Sequence, residues 1–121
     1  MASKNEIRAI SEDFVFGDIT AKKLGSLPAN AQIVRAYAVV TTAFDSGTSN
    51  NMIIGTSGDP DHYVTTLDLD AAAGVIAAAL VTTTVGVQSA TGSTEIYATH
   101  VPVGTAATAG ACTVIVEYYQ K

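Results

Sequence analysis

The side chains of this sequence equipped for catalysis or metal binding are two histidines, one cysteine and a scatter of aspartates. His62 and His100 lie far apart in different surroundings, and neither sits in a metal motif such as HExxH. His62 follows a turn and reads as solvated. His100 closes a strand before Val101-Pro102, and a structural role is expected for both. Asp59 and Asp61, with Asp45 as a third, are the acids that could ligate calcium, because aspartates in glycine-rich loops do so. GDPDH departs from EF-hand spacing, and Asp and Pro are ordinary turn formers, so a turn without metal is expected. Asp68 and Asp70 fall on one face of a strand, which alone makes no acid/base pair. The serines have no base and orienting acid in view. No phosphate loop, dinucleotide fingerprint or GxSxG occurs. Cys112 is the only cysteine, so an intrachain disulfide and a cysteine-based metal site are excluded; within ACTVIV it reads as an inert core residue. The expectation is a protein without a catalytic centre and without a cofactor.

The elements available to position any site are strands. Leu27-Pro28-Ala29-Asn30 is a turn signal, and Gln32 to Phe44 then reads as a long strand. Strict alternation puts Ile33, Arg35, Tyr37 and Val39 on one face and Val34, Ala36, Ala38 and Val40 on the other. DSGTSNN (45–51) is a polar loop, Met52–Thr56 a short strand, SGDPD (57–61) a tight turn and Tyr63–Leu67 the next strand. Asp68 to Ala73 could cap and begin a short helical turn. Further strands fit Val75–Val87, Thr94–His100 and Ala111–Tyr119, separated by SATGS and GTAATAG. The fold class is therefore all-β, a single β-sandwich of about seven or eight strands. Residues 1–27 differ in being charged, of mixed sign and poor in long apolar runs. They read as an extended N-terminal arm with a short strand near Phe14, attached to a sandwich body over 28–121.

Charge is sorted along the chain. Five of the six basic residues (Lys4, Arg8, Lys22, Lys23, Arg35) lie in the first 35 positions, and from Ala36 to Gln120 there are seven acids and no base. From Ala71 to Gly110 the single formal charge is Glu95. Charged residues make up 14% of the chain, against roughly a quarter in ordinary soluble domains, which suggests that much of the surface is covered by other copies or a larger assembly. Alanine supplies about a third of the apolar residues, and so thin a core gains from oligomerisation. A body without Lys or Arg has nothing to neutralise phosphate, so nucleic-acid binding is disfavoured. Residues 71–90 carry no charge, but their Gly, Ser, Thr and Gln make a poor membrane span, and MASKNEIRAI lacks the apolar stretch of a secretory signal.

At GTSGDPDHYVTTLDL (55–69) a glycine-terminated strand, a Ser/Gly/Asp turn, Asp-x-Tyr and a strand ending in Asp-Leu follow one another. This pattern resembles a motif of small tailed-phage structural proteins of the capsid decoration (cement) and head-fibre class. LPANAQIVRAYAVVTTAFDSGTS (27–49) and GACTVIVEYY (110–119) are similar to the flanking segments of that class. The resemblance spans most of 27–121 and leaves the arm unmatched. It implies a jelly-roll-like sandwich that assembles as a homotrimer on the outer surface of an icosahedral head, where it bridges and stabilises subunits of the major capsid protein. On that reading the arm docks on the capsid, with Lys4, Arg8, Lys22 and Lys23 pairing capsid acids and Phe14 and Phe16 filling apolar pockets. The alternatives are a tail or fibre-attachment subunit, and a carbohydrate-binding sandwich whose Tyr37, Tyr63 or Tyr97 would stack on sugars.

Overall fold

The computed structural model describes residues 7–28, 31–69, 74–77 and 94–120. Eight strands are present among them: β1 (Arg8–Val15), β2 (Lys22–Leu27), β3 (Ala31–Thr42), β4 (Ser49–Gly55), β5 (Val64–Asp68), β6 (Gly74–Ala77), β7 (Thr94–Val103) and β8 (Ala111–Gln120). Two four-stranded antiparallel sheets form, in the orders β1-β8-β3-β6 and β2-β7-β4-β5. The pairing is nested: β1 with β8, β2 with β7, β3 with β6 and β4 with β5, as in one long hairpin. Rolling that hairpin also joins β3 to β8 and β4 to β7. This is the eight-stranded jelly roll, the all-β sandwich that the sequence predicts.

Alternation builds the core. Phe14, Ile33, Ala36, Ala38, Val40, Cys112, Val114 and Val116 point inward from the first sheet; Leu24, Leu27, Met52, Ile54, Val64, Leu67, Ile96 and Ala98 point inward from the second. A bulge between Ile33 and Arg35 interrupts β3. It leaves the consecutive residues Val34 and Arg35 both exposed and returns Ile33 to the inner face with Ala36, Ala38 and Val40. The strict alternation expected for β3 therefore fails before Ala36, because a bulge inserts one residue and reverses the facing of those preceding it. The strand expected over 75–87 is described only as β6, and 78–93 lies outside the described residues, as does 70–73, where a helical turn is expected. Among the described residues no helix is long and apolar enough to cross a membrane.

The expected division between an arm (1–27) and a body (28–121) is not a break in the fold. All eight residues of β1 pair with β8, and β2 pairs with β7. Phe14, Leu24 and Leu27 are core residues. The mixed charge of this segment belongs to edge strands: β1 and β2 end their respective sheets, and charged side chains on an edge discourage a foreign strand from adding to it.

At one end of the sandwich the chain turns from β1 to β2 (16–21), from β3 to β4 (43–48) and from β7 to β8 (104–110). We call this the upper end. The starts of β1 and β3, and the β4–β5 turn over 56–63, lie at the lower end. That lower turn folds on Asp59, whose carbonyl accepts from Thr56 N (2.9 Å) and His62 N (3.1 Å). Gly55 must be glycine here, because a Cβ would collide with the Asp59 carbonyl.

Candidate functional site

The three upper loops are tied together by hydrogen bonds. Both carboxylate oxygens of Asp45 accept from the neighbouring loop: Thr108 N and Thr108 Oγ1 donate at 2.7 Å each, and Ala109 N at 3.0 Å. These bonds, the Thr108 hydroxyl first, hold the Asp45 carboxyl below its ordinary range. Gly47 N donates to Thr105 O (2.9 Å) and Thr48 N to Val103 O (2.8 Å). Phe16 N donates to Gly110 O (3.0 Å), which joins the β1–β2 loop to the β7–β8 loop. Gly110 passes so close to the Phe44 ring that a Cβ at this position would collide with it.

The β1–β2 loop is also braced internally. Asp18 Oδ2 accepts from Val15 N (2.9 Å) and pairs with Lys22 Nζ (3.3 Å), while Asp18 N donates to Val15 O (2.9 Å). The Val15 amide first, and Lys22 after it, hold the Asp18 carboxyl below its ordinary range. Lys22 Nζ also donates to Asp13 O (2.6 Å) and lies 5.2 Å from the centroid of the Phe14 ring. Beneath this loop His100 is buried, edge-on to Phe44 with ring centroids 4.9 Å apart. Neither ring nitrogen makes a hydrogen bond of sound geometry. Burial pushes the His100 pKa down; the nearby Phe16 carbonyl and Asp18 carboxylate oppose that shift without cancelling it.

The residues expected to contact a partner separate sharply. Phe14 is 1% exposed and has no ring surface to offer. Phe16, two residues on and past the end of β1, is 40% exposed. Lys22 is paired with Asp18, and Lys23 with Glu95 at 3.4 Å. Arg8 opens β1 at the lower end, opposite Tyr118, and Lys4 lies outside the described residues. The described members of the docking set drawn from the sequence are thus one core residue, two ion-paired lysines, one exposed aromatic and Arg8 at the opposite end. Ile19, Val101 and Val103 are exposed apolar residues at the upper end that sequence reasoning missed. Their exposure depends on where β2 stops, since Lys22 pairs with Ala98 and leaves the last residues of β7 without a β2 partner.

The calcium candidates are not gathered into a site. Asp45 is committed to Thr108 and Ala109, and the Asp59 carboxylate accepts from His62 Nδ1 at 3.1 Å. Among the described residues no group of three or more His, Cys, Asp or Glu is arranged to hold a metal ion. His62 is half-buried, edge-on to Tyr63, rather than fully solvated. Cys112 is buried, and desolvation raises its thiol pKa to about 11, so it is a poor nucleophile. Of the three tyrosines considered for sugar stacking, Tyr63 is buried. Tyr37 has the Arg35 guanidinium 4.8 Å from its ring centroid, and its hydroxyl donates to Glu117 Oε2 at 3.0 Å. The Tyr97 hydroxyl donates to Glu95 Oε2 at 2.9 Å.

No family model and no curated protein sequence matches the chain. Solved structures do. The fold is similar to a chain in the capsid asymmetric unit of cyanophage Pam1, with TM-score 0.67 and 16% identity over 97% of this chain and 86% of that one. It is similar to a chain in the acidic stable capsid of Helicobacter pylori bacteriophage KHP30, with TM-score 0.65 and 16% identity over 93% of this chain and 86% of that one. A chain in the capsid of Ralstonia phage GP4 gives TM-score 0.61 and 19% identity over 96% of this chain and 85% of that one. At these identities the likeness is one of fold: this chain is built as a jelly roll of the kind found in three phage capsids.

Proposed function

We propose that this protein is a structural component of a phage virion, a decoration protein that sits as a homotrimer on the outer surface of the head and bridges major capsid subunits. The observation that carries the reading is the likeness, over at least 93% of the chain, to chains from three phage capsids. Two features of the chain support it. Among the described residues no group of three or more His, Cys, Asp or Glu is arranged to hold a metal ion, and the Cys112 thiol is buried. A chain of net charge −5, with seven acids and no base from Ala36 to Gln120, would be repelled by packaged nucleic acid, which favours the outside of the shell.

The test is quantitative mass spectrometry of purified virions after heads are separated from tails. Hundreds of copies in the head fraction are expected. A few copies in the tail fraction would move the protein to a tail or fibre-attachment role, and absence from both would reject the virion reading.

A further inference from the structure

We infer that the β1–β2 corner of the upper end is the surface by which this protein seats on the capsid shell, through apolar contact rather than through its basic residues. The inference rests on the virion reading above and names the face that reading leaves open. Seven large apolar residues are exposed among the described ones, and five are at the upper end: Val15 (49%), Phe16 (40%), Ile19 (58%), Val101 (37%) and Val103 (45%). Val15, Phe16 and Ile19 follow the chain round the corner between the two sheets, and Val101 and Val103 lie on β7 beyond the end of β2. Such one-ended clustering is the mark of an interaction site, whereas single exposed apolar residues are ordinary.

Charge defines the partner. The ionic groups bordering the corner, Asp18 and Lys22, neutralise each other, and Lys22 is further held by Asp13 O. Asp13, exposed two residues before Val15 on the same strand face, and Asp45 in the β3–β4 loop have no cation paired with them among the described residues, so the surroundings of the apolar patch are acidic and the complementary surface on the shell is apolar with a basic margin. An acidic partner surface would be repelled here. The loop is also preorganised. Phe16 N is fixed to Gly110 O and Asp18 braces both Val15 and Lys22, so little ordering entropy opposes docking of the Phe16 ring.

The test uses the full chain and undecorated shells assembled from the major capsid protein of the same phage, with co-sedimentation as the binding readout. Wild type, the double variant Phe16→Ser/Ile19→Ser and the lower-end control Val34→Ser are compared, each with its native mass and melting curve recorded. The inference predicts binding weakened roughly a hundredfold in the double variant, with its native mass and melting curve kept, and unchanged binding in the control. A double variant that binds like wild type overturns the inference and leaves the virion reading standing. A double variant that changes native mass overturns it in favour of a contact between copies of this chain. Wild type that fails to bind any shell overturns the reading beneath it.

Discussion

The β1–β2 corner and the outer face of the sheet around Arg35 are built from the same three kinds of group and present opposite surfaces. Each has a cation near an aromatic ring and a carboxylate neutralising that cation. On the sheet face Arg35 lies over Tyr37 and is held by Glu117, with Nε–Oε1 at 2.6 Å and Nη2–Oε2 at 3.2 Å. Tyr37 Oη closes the group onto the same carboxylate. The guanidinium holds the Glu117 carboxyl below its ordinary range, and the hydrogen bond to Glu117 raises the Tyr37 phenol. That cluster satisfies itself and offers a partner little. At the corner the ring near the cation is Phe14, which is in the core, so Lys22 and Asp18 frame the cluster while Phe16 and Ile19 stand bare. Local neutralisation of charge thus makes a closed polar face in one place and leaves apolar side chains exposed in the other. The deciding difference is whether the aromatic ring beside the cation is turned outward or buried.

The comparison can be broken most forcefully at Phe14 and Phe16. Phe14→Ala removes a fully buried ring and should cost about 3–5 kcal/mol, seen as a large fall in melting temperature. Phe16→Ala should cost far less, about 1 kcal/mol, because the residue is 40% exposed in the fold. Equal losses would mean the two rings are not divided between core and surface. Deleting residues 1–20 belongs with the first case: it removes β1 and should abolish cooperative unfolding, not merely binding.

A smaller, pH-dependent effect is expected from His100 beneath the corner. Its folded pKa is lowered by burial, so the neutral form is favoured in the fold. Its contribution to stability is fully present above the unfolded value near 6.5 and is lost as pH falls below it. His100→Leu removes two buried ring nitrogens without partners and should gain on wild type as pH drops from 8 to 5, read from paired thermal melts. A constant difference across that range would mean that His100 does not titrate differently in the folded state. Asp18, Asp45 and Glu117 act in a separate window, because their carboxyls are lowered. Their contributions hold above the ordinary carboxylate range and are lost as pH falls through their folded values.

The smallest effect belongs to the face. Arg35→Ala should barely move the melting temperature, since the guanidinium side is open to water and exposed ion pairs contribute little. It should leave shell binding unchanged. Lost binding in that variant would reverse the assignment of the two regions.

Much of the sandwich was legible because half-buried strands write their facing into alternate residues. TVIVEYY in β8 and EIYATH in β7 read directly, and β3 read correctly from Ala36 onward. β2, KKLGSL, did not, because an edge strand with two lysines and a glycine carries the composition of a linker. The same ambiguity made an arm of β1, where only Phe14 is fully inward. At the candidate site Phe16 was legible as an aromatic beside a turn, but the separation of Phe16 from Phe14 needed the end of β1 to be known. Ile19, Val101 and Val103 could not be read as exposed, because their exposure follows from the stopping point of a neighbouring strand. The ion pairs Lys22–Asp18 and Lys23–Glu95 were equally hidden; the second joins residues distant in sequence.

The most direct measurement of the central claim is a cryo-electron reconstruction of purified heads at side-chain resolution. The account predicts jelly-roll density on the outer surface with Phe16 and Ile19 against the shell and the Arg35 cluster turned away from it. Heads without that density, or with the chain seated through the lower end, would contradict it.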